Sequence, residues 1–106
     1  MIMTTPAVKL TIIVERLLKP AVERCLTKAK LGGWSIFPGG GSGSHGLHRA
    51  EAAHVVREFA IIKFEVVMRD RALADQIAQI LTEEVLADHP GIVWLEPVEV
   101  LRASKF

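Results

Sequence analysis

Tyrosine is absent from this chain, cysteine occurs once, and neither sign of charge dominates. Each scarcity excludes something. A lone Cys25 rules out an intrachain disulfide and fits a reducing compartment. Lysine and arginine number 13 against 12 aspartate and glutamate, a net charge of +1. A general nucleic-acid binder needs a much larger basic excess. No apolar run reaches the roughly 20 residues of a membrane-spanning helix, so no membrane insertion is expected. The first six residues lack a basic stretch followed by an apolar one. No secretory signal is expected, and a cytoplasmic protein is the default.

Apolar residues are abundant instead, at 50% of 106 residues, with a mean hydropathy of +0.31. The length fits a single domain, residues 1–106. A small monomer leaves much of its chain at the surface. The composition therefore predicts either a dense core or an apolar surface buried in an oligomer.

Residues 7–15 alternate, with Val8, Leu10, Ile12 and Val14 on one side and Lys9, Thr11, Ile13 and Glu15 on the other. That is a strand with one buried face. Leu18, Val22, Cys25, Leu26 and Ala29 recur at helical spacing within 17–30. Pro20 is tolerated only in the first turn, so this helix begins near Leu18 or Lys19, and Gly32-Gly33 is expected to end it. Cys25 lies on the apolar stripe and reads as a core thiol. Residues 34–37 form a short strand that Pro38 is expected to close. Residues 59–68 alternate again, 71–87 carry a helical stripe with Asp70 as N-cap, and 92–101 form a last strand. Its phase changes at Pro97, which predicts a bulge or an edge position. The order is β-α-β-β-α-β. This is an α+β, ferredoxin-like arrangement, a four-stranded antiparallel sheet with two helices on one face. Ile13, Ile61 and Val67 leave the other face partly apolar, and a symmetric oligomer would cover it.

Five of the eight glycines fall between residues 39 and 46. Such a run reads as a flexible linker, or as a backbone nest whose N–H groups meet an anion. It matches neither the Walker pattern nor the dinucleotide pattern. The connection runs to about Glu58, and loops that long in compact domains are usually functional or disordered. Other chemistries are less supported. Residues 57–64 partly match an RNA-recognition signature, but Ile61 replaces the central stacking aromatic and Glu58 the glycine. His45 and His48 are spaced H-x-x-H without cysteine or paired carboxylates nearby, a weak metal signal. No nucleophile has a base partner, so no catalytic residues and no enzyme are expected.

Several short stretches together resemble the PII signalling proteins across Val8 to Leu101. They are Gly33-Trp34-Ser35-Ile36 entering Gly40-Gly41-Ser42-Gly43-Ser44, then Lys63-Phe64-Glu65-Val66-Val67, Pro90-Gly91-Ile92-Val93 and Val98-Glu99-Val100-Leu101. The nearest branch is the PII-like one linked to inorganic carbon. It includes the partner of the sodium-dependent bicarbonate transporter and the carboxysome-associated PII proteins. The resemblance implies a homotrimer with inward-facing sheets and adenine nucleotides in clefts between subunits. It implies no tightly bound cofactor. A long T-loop, about 38–58, would dock onto a protein partner such as a bicarbonate transporter or a carboxysome-related component, regulating inorganic-carbon metabolism.

By position the resemblance assigns nucleotide binding to Ser35, Gly40, Gly41, Ser42, Gly43, Glu65, Val67, Gly91, Ile92, Arg102 and Lys105. His45, His48 and Arg49 fall on the partner-facing T-loop. The turn Asp88-His89-Pro90-Gly91 lacks the phosphate-holding lysine of standard members. ADP and AMP are therefore expected ahead of ATP, with bicarbonate as a further ligand. Where carbon-linked relatives often carry basic residues in the long loop this chain has Ser42 and His45, and His48, Arg49 or Lys105 are the candidates to stand in for them. The tyrosine that some nitrogen-sensing members modify is missing. The alternative is a trimeric divalent-metal-binding protein of the same fold, with His45 and His48 as the residues to test.

Overall fold

The computed structural model describes residues 2–41 and 60–106. Four strands form one antiparallel sheet: β1 (Thr5–Glu15), β2 (Ser35–Gly39), β3 (Ile61–Met68) and β4 (Gly91–Val100), in the order β2-β3-β1-β4. Two helices, α1 (Lys19–Lys28) and α2 (Arg71–Ile80), join them. The predicted ferredoxin-like β-α-β-β-α-β order is the observed one.

Period-two alternation decides which sheet face is buried. Val8, Leu10, Ile12 and Val14 of β1 stand beside Met68, Val66, Phe64 and Ile62 of β3, and all eight are buried. Val22 and Leu26 of α1, Ala74 and Ile77 of α2, and the following Leu81 complete this layer. Each large apolar side chain in it contributes about 1.5–3 kcal/mol relative to exposure.

Several element ends differ from expectation. Pro38 does not close β2, because the strand continues to Gly39 with Pro38 opposite Ile62. The strand therefore takes in the first residues assigned to the T-loop. Pro97 lies opposite Val8 in an unbroken register from Thr5↔Val100 to Val14↔Gly91, so there is no bulge. Both β2 and β4 are edge strands. An edge tolerates a proline because no neighbour needs its missing N–H. Asp70 caps α2 as expected, its Oδ1 accepting from Leu73 N–H at 3.0 Å. That helix widens after Ile80 into a π-helical turn, Leu81–Val85, where Leu86 N–H donates to Leu81 O at 2.9 Å.

The glycine pair does not terminate α1. Lys30 takes the left-handed position, φ 61°, with its N–H donating to Thr27 O at 2.9 Å.

Candidate functional site

The sheet face away from the helices is built from the alternate positions of all four strands. Its rows follow from the register: Ser35, Glu65, Thr11 and Trp94 in one, Phe37, Lys63, Ile13 and Ile92 in the next. Phe37 and Ile92 are exposed. Charge is concentrated at the centre. Lys63 Nζ lies 3.4 Å from Glu65 Oε2, and Lys9 Nζ lies 4.0 Å from the same oxygen and 3.5 Å from Glu96 Oε1. The Lys63 ammonium also stands 5.1 Å from the Phe37 ring centre, within cation–π range. Thr11 is only 1% exposed in the single chain, and its hydroxyl has no hydrogen-bond partner among the described residues.

At one end of this face a cleft of about 640 Å³ opens between the β2–β3 edge and the C-terminal turn. Its size is that of a small-molecule site. Four of the residues assigned to nucleotide binding meet there: Ser35, Glu65, Val67 and Lys105. Ser35 lies directly opposite Glu65 in the ladder, and Val67 is two residues on. Lys105 arrives on the 3-10 turn Ala103–Lys105, which Lys105 N–H closes onto Arg102 O at 2.9 Å. Arg102 itself is exposed beside this turn and does not line the cleft.

Gly40, Gly41, Gly91 and Ile92 are not brought to that cleft. Gly91 and Ile92 pair with Val14 and Ile13, and Gly41 approaches Ile61. They occupy the opposite end of the strands, about 13 Å away at roughly 3.3 Å per residue from Glu65 to Ile61. Within one chain the assigned residues thus form two groups. Gly91 has a packing role of its own: a Cβ there would meet Leu86 Cδ2 at 2.7 Å and Ile13 O at 3.0 Å. Ser42, Gly43, His45, His48 and Arg49 lie outside the described residues.

Sequence reasoning missed Lys30, Arg69 and Phe106, which also line the cleft, and used Trp34 only as part of a motif. No local pattern signals that the C-terminal residues return to the start of β2. Among the described residues no group of three or more His, Cys, Asp or Glu could hold a metal ion. No helix among them is long and apolar enough to cross a membrane.

Known proteins share this architecture. The chain superposes on CPII from Thiomonas intermedia K12, bound to ADP and bicarbonate, with TM-score 0.80 and 25% identity over 100% of this chain and 99% of that one. A second structure of that protein, bound to ADP, AMP and bicarbonate, gives TM-score 0.75 and 24% identity, covering 94% and 98%. A PII-like chain from Thermus thermophilus gives TM-score 0.75 and 25% identity, covering 96% of each. The sequence pattern of nitrogen regulatory protein P-II matches residues 7–105. The chain therefore belongs to the nitrogen regulatory protein P-II family.

Proposed function

We propose that this protein is a cytoplasmic, non-enzymatic regulator that binds adenine nucleotides, ADP and AMP in preference to ATP, with bicarbonate as a further ligand. The observation that carries the reading is the convergence of Ser35, Glu65, Val67 and Lys105 on one cleft. The similarity to a protein solved with ADP and bicarbonate supports the choice of ligand.

The functional unit in this reading is a homotrimer. The sheet face carrying Ile13, Phe37, Ile92 and Trp94 would turn inward, removing exposed apolar area from water. Neighbouring subunits would then set the Gly40, Gly41, Gly91 and Ile92 group of one chain against the cleft of another. Arg102 would face the phosphates from the C-terminal turn. The segment 38–58 would act as the partner-facing T-loop, with His45, His48 and Arg49 in contact with a protein of inorganic-carbon metabolism, a bicarbonate transporter or a carboxysome-related component. A ligand that interacts differently with two loop states shifts their populations, and that difference is the signal.

Calorimetry with AMP, ADP and ATP tests the reading, alongside mass determination in solution. Binding of ADP and AMP by a trimer is expected. Absence of binding by all three nucleotides at millimolar concentration would overturn it.

A further inference from the structure

On the helix side of the molecule, away from the charged sheet face, a groove of about 1130 Å³ runs between α1 and α2. It follows the chain from Pro20 to Lys30, about 15 Å at 1.5 Å per helical residue. The helices meet the sheet with Val22, Leu26, Ala74 and Ile77, all buried. Their outward sides leave two unlike walls. The α2 wall is apolar: Leu73, Ile77 and Ile80 recur at helical spacing, and Val85 of the π-helical turn extends them. Ile80 is 42% exposed. The α1 wall is basic: Arg24 and Lys28 stand one turn apart, and Lys30 follows the helix.

These three cations are exposed, and none forms an ion pair among the described residues. Two carboxylates also line the groove. Glu23 is engaged with Lys19 at 3.9 Å, which leaves Glu84 at the end of the apolar wall. An occupant that suits both walls must be apolar on one side and acidic on the adjoining side. A groove between two helices accepts a third helix in contact with both. A bilayer surface is flat and would touch only the ridges on either side of the groove.

We propose that this groove docks a partner protein through an acidic amphipathic helix, with apolar side chains against Leu73, Ile80 and Val85 and carboxylates toward Arg24, Lys28 and Lys30. About three turns of helix span the groove. Carboxylates three or four positions apart on the partner match the spacing of Arg24 and Lys28. This surface is separate from the segment 38–58, and it stands whether or not the chain binds a nucleotide. Cys25 is half-buried in the groove and would lie beneath the bound helix, where it serves as a reporter of occupancy.

The probe is a synthetic, fluorescently labelled helical peptide of about 15 residues, leucine on one face and glutamate along the adjoining one, titrated against the full chain. A counterpart carries lysine in place of each glutamate. The acidic peptide should bind, more weakly as salt is raised, and should slow the reaction of Cys25 with a thiol reagent. The lysine peptide should do neither. The double variant Arg24→Glu, Lys28→Glu should lose affinity for the acidic peptide about tenfold or more and gain affinity for the lysine peptide, an exchange that misfolding would not produce. Ile80→Ser should weaken the acidic peptide without lowering the melting temperature, because the side chain is exposed. Failure of the acidic peptide to bind would overturn the proposal, as would equal binding of both peptides or binding that leaves Cys25 unprotected. Two further outcomes would overturn it by assigning the groove to another occupant. One is self-association in sedimentation that Ile80→Ser abolishes, which would place a second copy there. The other is binding to phosphatidylserine vesicles that the double variant abolishes, with no binding of the acidic peptide.

Discussion

Trp94 Nε1 donates to Glu96 Oε1 at 2.7 Å, two residues apart on one face of the edge strand β4. That hydrogen bond is the chief reason the Glu96 carboxyl is held below its ordinary value of 4.5; desolvation opposes it, and the Lys9 ammonium adds to it. A carboxyl whose pKa is lower in the folded state stabilises the fold above its unfolded pKa. The contribution is lost as pH falls through the folded value. Melting temperature followed from neutral pH downward should therefore decline less steeply in Glu96→Gln than in the unsubstituted protein. Identical acid limbs would show that the Trp94–Glu96 contact has no energetic consequence.

Gly91 and Gly32 provide a matched pair. Gly91→Ala would push Cβ against Leu86 and the fixed carbonyl oxygen of Ile13, and overpacking of this kind costs about 1–3 kcal/mol. Gly32→Ala enters open space and should leave stability almost unchanged. Urea unfolding of the two variants separates them, and equal midpoints would contradict the packing assigned to Gly91.

Phe64 is fully buried at the centre of the sheet, opposite Ile12 on β1 and Ile36 on β2. Phe64→Ala should cost about 3–5 kcal/mol, transfer and cavity combined. Chemical denaturation measures it, and a loss below about 1 kcal/mol would mean that the helices collapse into the space.

Cys25 faces the groove between α1 and α2 beside Leu73 and Ile77. Burial pushes its thiol up, the Glu84 carboxylate adds to the rise, and Lys28 opposes it. The thiolate is the reactive form. At neutral pH Cys25 should react with an aromatic disulfide reagent more slowly than a small free thiol does, and Glu84→Gln should speed it. Cys25 is half-buried beside the core rather than within it, where its apolar stripe would put it, and a rate above that of the free thiol would refute its reading as an unreactive thiol.

Arg102 tests the proposed placement of phosphates. Arg102→Ala should reduce ADP affinity by roughly 1–3 kcal/mol if a charge-assisted contact is removed. ADP titration of the variant decides, and unchanged affinity would move the phosphates away from the C-terminal turn.

Much of the fold is legible in the chain because strand and helix periodicity are local properties. The alternation of Val8, Leu10, Ile12 and Val14, and of Ile62, Phe64, Val66 and Met68, by itself marks the face that is buried. Asp70 is legible as a cap because its partner, Leu73 N–H, is three residues away. Where sequence reasoning errs, a nonlocal fact decides. Pro38 does not end β2 because the order β2-β3-β1-β4 leaves that strand at an edge.

The candidate site divides in the same way. Ser35, Glu65 and Val67 are placed by short motifs, since neighbouring ladder positions share a face once the strands pair. That Lys105 and Phe106 close the cleft, that Lys30 holds a left-handed backbone at its rim, and that Gly40, Gly41, Gly91 and Ile92 stand at the far end are decided by tertiary structure alone. A residue's own chemistry and its neighbours three or four positions away are written in the chain. Which element ends come together depends on strand order and chain reversal, which no local pattern encodes.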